Sequence, residues 1–318
     1  MKKHTHIVAI VLGVTFASMT ASQASCGSAF CTINTNPHVL APWTESGLRL
    51  DLHGEYVKQD TLRSGRHKVE PAGEPDTHDE QSTINRNIIA SFDYSWNEQW
   101  GTSVQIPWVN RFHEHVFNDP VDGPELEQWR FERLGDVRVV GLYQFLGLPD
   151  RAAGLQFGLK LPTGSTKIQN EDGERAERTL QPGTGTTDLV LGAYYNAHFT
   201  ESRASWFAQA LLTSPLNSDE DFRPGRHLTL STGMNYPFGG SLSGLLQLNV
   251  SLKDRDSGAQ AETEDSGSSQ AFVSPGLSYA VNRNTQLYGF VQLPVYQNVN
   301  GTQLTANRAF LVGWGQVF

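Results

Sequence analysis

The sequence has almost no cysteine, little charge for its length and, past its first 24 residues, no long apolar run. Only Cys26 and Cys31 are present, so neither a disulfide-stapled fold nor a four-ligand cysteine metal site is available. No apolar stretch after Ala24 approaches the roughly 18 residues that a transmembrane helix requires. Charged residues make up 18% of the chain, the net charge is −9 and the pI is about 5.6. With no basic patch, nucleic-acid binding is disfavoured. Gly-x-Ser-x-Gly, HExxH and phosphate-loop motifs are missing, so no catalytic residue, cofactor or enzymatic activity is expected.

What is present begins with an export signal. Lys2 and Lys3 precede an uncharged, largely apolar run from Ile7 to Ala17, and Ser22-Gln23-Ala24 offers small residues at the positions read by a signal peptidase. Cleavage is expected after Ala24, giving a signal peptide at 1–24 and an N-terminal periplasmic or plug segment at 25–46. The apolar core is too short to cross a bilayer. Gln23 stands where a lipoprotein signal needs an apolar residue, which weakens an anchor through Cys26. In an oxidising periplasm, Cys26 and Cys31 are candidates for a small disulfide loop.

From Gly47 to Phe318 the chain reads as strands. In Leu48–Gln59, Leu48, Leu50, Leu52 and Tyr56 alternate with Arg49, Asp51, His53 and Glu55. Similar segments follow at 82–96, 99–112, 134–146, 152–162, 185–199, 204–216, 226–238, 241–254, 270–281, 285–297 and 306–318, twelve in all. Short connectors, such as Asn97-Glu98 and the hairpin glycines Gly239-Gly240, alternate with long ones starting at Asp60, His113, Thr163, Asn217, Arg255 and Asn298. A soluble sandwich has no reason to alternate connector length, whereas an outer-membrane barrel does, with short periplasmic turns and long external loops. The expected fold is all-β: a closed antiparallel transmembrane β-barrel of about twelve strands in the outer membrane of a Gram-negative cell.

Charge and aromatic placement fit that division. The first five long loops hold 23 acids against 10 Lys or Arg, a net of −13 that exceeds the −9 of the whole chain. These read as solvated loops, with cation bridging to lipopolysaccharide phosphates as the functional alternative. Trp96, Trp100, Trp108, Tyr143, Trp206, Tyr236, Phe238 and Trp314 cluster near strand ends, as interfacial girdles do. Phe310, Val312, Trp314 and Phe318 form the apolar face of a last strand ending in Phe, a pattern similar to the signal read by the barrel-assembly machinery; Gln316 departs from it.

With the apolar faces turned to lipid, the alternate positions line the lumen: Arg49, Asp51, His53, Glu55, Asp93, Asp136, Arg138, Lys160, Asp188 and Arg308, with neutral Gln105, Gln144, Gln156, Gln209, Asn235, Gln247 and Asn249. A slip of one residue would reverse any of these assignments. Balanced signs imply a salt-bridged, water-filled interior with little ionic selectivity; a selective constriction is the alternative. His113-x-His115 is expected just past a strand end. Its spacing suits a metal on one strand face, but no third ligand stands at a recognisable spacing, so no metal site is predicted.

Two segments add a resemblance. Lys160-Leu161-Pro162-Thr163-Gly164, followed by Pro182-Gly183-Thr184-Gly185-Thr186-Thr187-Asp188-Leu189-Val190-Leu191-Gly192, resembles the family named for the MetA pathway of phenol degradation, a group of outer-membrane transporters. The resemblance implies a barrel and passage of small hydrophobic or aromatic molecules; it implies no ligand residues, because the motif reads as structural. The expected function is passive passage of small molecules across the outer membrane, with outer-membrane lipid and a small-molecule solute as partners. The alternative is a structural or adhesive barrel whose lumen is filled by side chains.

Overall fold

The computed structural model describes residues 46–318; the segment read as a signal peptide, nearly all of the expected 25–46 plug segment and the candidate Cys26–Cys31 pair lie outside the described residues. Fourteen strands run in chain order: β1 (Gly47–Ser64), β2 (His67–Lys68), β3 (His78–Ser95), β4 (Trp100–Asp119), β5 (Gly123–Leu134), β6 (Val137–Leu148), β7 (Arg151–Leu161), β8 (Asp188–His198), β9 (Ser205–Pro215), β10 (His227–Gly239), β11 (Leu242–Lys253), β12 (Ser268–Ala280), β13 (Thr285–Val299) and β14 (Thr302–Val317). Twelve of them form one antiparallel ring, closed where β1 pairs with β14 from Arg49–Val317 to Ser64–Thr302. Strands β2 and β5 stand off the ring as hairpin arms of β1 and β4. Closure leaves no unpaired edge around the ring, the condition for strands to cross lipid.

The faces are inverted relative to a soluble protein. Leu52, Ile88, Phe92, Phe157, Leu191, Leu246, Leu277 and Phe310 point outward with no protein cover, while Asp51, His53, Glu55, Asp93, Asn249 and Ser274 are buried inside. Each such apolar side chain is worth about 1.5–3 kcal/mol on leaving water. Half a dozen left wet would forfeit an amount like the whole stability of a domain, about 5–15 kcal/mol. The belt therefore faces hydrocarbon. Around the short-turn end the outer face carries Trp96, Trp100, Trp206, Tyr236, Phe238 and Tyr279, with the Trp100 and Tyr143 rings 4.6 Å apart.

The turn at Gly239-Gly240 has positive φ at both glycines, as the hairpin requires. The opposite end differs from the sequence expectation. Strands β1, β3 and β4 run 18, 18 and 20 residues, well past the 9–11 that cross a membrane. Consequently the segment starting at His113 is strand, not loop, and continues through a turn into β5. The last long connector shrinks to Asn300-Gly301. Above the lipid both faces of a strand are polar, so the hydropathy alternation that marks a strand disappears while the ladder continues.

Candidate functional site: the lumen and the loop across its mouth

On the β1–β3 wall the expected charges come together. Arg49 stands opposite Asp93 in the strand register. His53 Nδ1 lies 2.8 Å from Asp51 Oδ1, and Asn87 donates to Glu55 at 3.3 Å. The Tyr288 hydroxyl, reaching from β13 across β14, donates to Asp51 at 2.5 Å. Gly313 makes this reach possible: a Cβ there would lie 2.3 Å from the Tyr288 ring. The neutral residues behave alike, with Gln209 donating to Gln156 at 2.6 Å and Asn249 to Ser231 at 3.1 Å. Arg308 does not join them. It is exposed and shares its parity with Phe310 and Val312, so its side chain belongs to the outer face; two register irregularities between Val57 and Thr61 disturb the pairing nearby.

Asp136, Lys160 and Asp188 meet instead at the foot of the connection 162–187. Lys160 Nζ lies 3.0 Å from Asp136 and 2.9 Å from Asp188. Asp136 also accepts the backbone N–H groups of Gly164 and Thr184 at 3.0 and 2.9 Å. Gly183 packs so closely on Gly164 that a Cβ would sit 2.5 Å from the Gly164 carbonyl oxygen. The Lys160–Gly164 and Pro182–Asp188 segments thus pin together the two ends of one loop. Arg138 faces Lys160 across the β6–β7 register, close to this group.

From that foot the loop crosses the barrel mouth. It leaves β7 and returns to β8, yet its Ala176 and Leu180 join Trp129 of β5, Leu304 of β14 and Leu62 of β1 in one apolar cluster. Strands β8 and β14 stand six places apart in the twelve-strand ring. Arg111 of β4 donates to the Thr179 and Leu180 carbonyls at 3.3 and 2.6 Å, and Trp129 Nε1 donates to the Glu174 carbonyl at 3.0 Å. On another side Arg178 pairs with Asp219 at 2.8 Å and Glu220 at 3.2 Å and lies over the Phe222 ring. Burial foremost, with Asp265 and Glu127 adding to it, pushes the Glu177 carboxyl of this loop up to about 7.

Below the loop, two walls are apolar inside. Leu142, Tyr194 and Phe207 form a buried cluster on β6, β8 and β9; Phe290 and Leu311, with Leu245 and Tyr288 against them, form another on β11, β13 and β14. The rings lie flat along the wall because glycine sits beneath them. A Cβ on Gly154 would be 2.5 Å from Tyr194, and one on Gly276 would be 2.5 Å from Phe290. Reasoning that placed every apolar face outward missed these residues, although Tyr194 shares its parity with Asp188. His113 and His115 lie within β4, buried and facing inward, and Glu80 supplies the third ligand type that their sequence neighbourhood lacked.

The described chain resembles solved outer-membrane barrels. An outer membrane channel from Pseudomonas putida F1 superimposes with a TM-score of 0.65 at 13% identity, covering 90% of this chain and 100% of that one. The NanC porin follows with a TM-score of 0.47 at 11% identity over 84% of this chain and 98% of that one. Among curated proteins the sequence finds no match. At 13% identity the likeness to the Pseudomonas putida F1 channel shows a shared outer-membrane barrel fold. The family is shown by sequence: residues 88–311, from β3 to β14 and including the loop foot, match the family described as "Putative MetA-pathway of phenol degradation", and the chain belongs to it.

Proposed function

We propose that the protein is a passive outer-membrane channel for small hydrophobic or aromatic molecules, with the loop 162–187 as its gate. The observation that carries this is a loop fastened across the mouth of a barrel whose lower walls carry inward-facing aromatic rings. A solute entering between the acidic loops would pass the Arg111-anchored segment, then slide along Tyr194, Phe207 and Phe290. The charged β1–β3 wall keeps water and polar groups beside it. The solved barrel from Pseudomonas putida F1 carries the name of a channel, and the family name points to phenol degradation; both support the reading.

The second reading is a barrel that transports nothing. It draws on the tight interior, where Asp93 and Asn249 are fully shut off from solvent. Planar-bilayer recording and liposome flux of a small phenol separate the two. A channel gives a small conductance and phenol flux that rise when residues 166–181 are deleted. A folded barrel with neither conductance nor flux, before and after that deletion, would overturn the channel reading.

A further inference from the structure

At the external end of the lumen, under the β4–β5 hairpin, Glu80, His113 and His115 turn toward one point. A bulge creates the arrangement. In the β3–β4 register Glu80 faces His115 and Thr83 faces His113, with the pairing shifted between Glu80 and Ser82. Without that extra residue Glu80 and Thr83, three apart, would point to opposite faces; with it both point inward.

The hydrogen bonds around the cluster bare its lone pairs. Thr83 Oγ1 lies 2.8 Å from His113 Nδ1, and Glu127 Oε2 lies 2.5 Å from His115 Nε2. The Glu127 carboxylate accepts the Nε2–H of His115, leaving Nδ1 unprotonated; a His113 proton given to Thr83 leaves its Nε2 unprotonated in the same way. These two bare nitrogens are 3.4 Å apart. Glu80 Oε2 stands 3.6 Å from His113 Nε2, and Glu80 Oε1 stands 3.8 Å from His115 Nδ1. Both oxygens of this carboxylate, 3% exposed, make no hydrogen bond. Three polar atoms thus converge in one buried pocket, a costly arrangement unless a proton or a cation sits among them.

The spacing fits one. Ligands held about 2.0–2.1 Å from a metal stand roughly 3.3–3.6 Å apart in tetrahedral or trigonal geometry. The Trp129 ring closes the pocket, 5.8 Å from the His113 ring and 4.9 Å from that of His115. Further acids lean on it electrostatically: Glu177 on Glu80, and Glu174 on His115 and Glu127.

We propose that Glu80, His113 and His115 form a binding site for a divalent transition-metal ion of the zinc class, oriented by Thr83 and Glu127, which fastens β3, β4 and the β5 hairpin at the mouth. A neighbouring set, His78, His115 and Glu127, competes for the same His115. Its Glu127 already holds the His115 proton, so Glu127 serves as orienting support, while His78, 3.9 Å from Glu127, stands outside the site.

The test uses the full barrel, purified in detergent, stripped with chelator and titrated with zinc by calorimetry and with cobalt by visible absorption. Folding of every variant is checked by heat-dependent gel mobility. One equivalent of zinc per barrel is expected, together with a cobalt spectrum of low coordination number. Glu80→Gln, which keeps the shape, and His113→Asn should each abolish both. Glu127→Gln should weaken zinc binding about 10–100-fold, as loss of an orienting partner does. His78→Asn should leave it nearly unchanged. A folded wild-type barrel that binds no zinc overturns the proposal, with a shared proton then holding the cluster. So does zinc binding that survives both Glu80→Gln and His113→Asn, or that His78→Asn removes while Glu80→Gln does not.

Discussion

At the scale of single residues, Tyr194 and Gly154 show how an aromatic ring is laid against the lumen wall. The ring lies against the wall because Gly154 has no side chain, and a Cβ there would also meet the Tyr143 carbonyl at 2.6 Å. Gly154→Ala should therefore destabilise the barrel by about 1–3 kcal/mol, the usual cost of overpacking. It should also swing the ring into the lumen. Denaturant midpoints and single-channel conductance would read both effects, and Tyr194→Phe should change neither much. Glu177 sets a pH dependence. Its folded pKa of about 7 lies above its ordinary value, so its stabilising contribution is full below about 4.5 and fades as pH rises through 7. The groups facing it are acidic as well: Glu80 of β3, Glu127 of β5, and Glu262 and Asp265 beyond β11. Protection of the loop 162–187, after correction for the intrinsic pH dependence of amide exchange, should fall as pH rises through about 7, and Glu177→Gln should flatten that fall.

At the scale of elements, the loop is a strap pinned at its foot by Asp136 and held across the mouth by Arg111 and Trp129, and the proposed gate requires the head to release before the foot. Asp136 gathers Lys160, Gly164 and Thr184 at the foot, while Arg111 and Trp129 hold the head by main-chain carbonyls. Hydrogen bonds from a charged donor are worth about 1.5–3 kcal/mol each. Arg111→Ala should thus free the head alone, raising conductance and protease cleavage near 174–180 while the barrel still migrates as folded. Asp136→Asn should loosen the foot, where the charge on Lys160 keeps only Asp188. Should Arg111→Ala leave both conductance and cleavage at the wild-type level, the loop is not a gate. The foot was readable as a structural motif, since its glycines and prolines are adjacent in sequence. The head was not, because Arg111 and Leu180 are separated by 69 positions.

At the scale of the whole molecule, closure between β1 and β14 ties the ends of the chain together. The Phe318 N–H donates to the Leu48 carbonyl at 2.8 Å, while the Phe318 side chain stays exposed on the outer face. One hydrogen bond lost from a ring of twelve paired strands is minor, so removal of Phe318 should barely change the stability of a refolded barrel. Its yield in the outer membrane should fall instead, if that side chain is what the assembly machinery reads. Comparing membrane yield with the denaturant midpoint of the refolded protein checks this, and a parallel loss of both would assign Phe318 a purely structural part.

Local alternation with a period of two, the alternation of short and long connectors, apolar belts and turn chemistry are all written along the sequence, and together they determined the barrel, its strand order and most inward positions on β1. Arg308 marks the cost of departing from that parity: it alternates in step with Phe310 and Val312, and like them it is exposed. The tertiary structure decided what lies inside: the loop folded across the mouth, the rings laid on glycines of neighbouring strands, and the meeting of Glu80 with His113 and His115. Each of these depends on which strand pairs with which, and in what register. The β3 bulge that turns Glu80 inward leaves no trace in hydropathy, since the residues on both sides of it are polar.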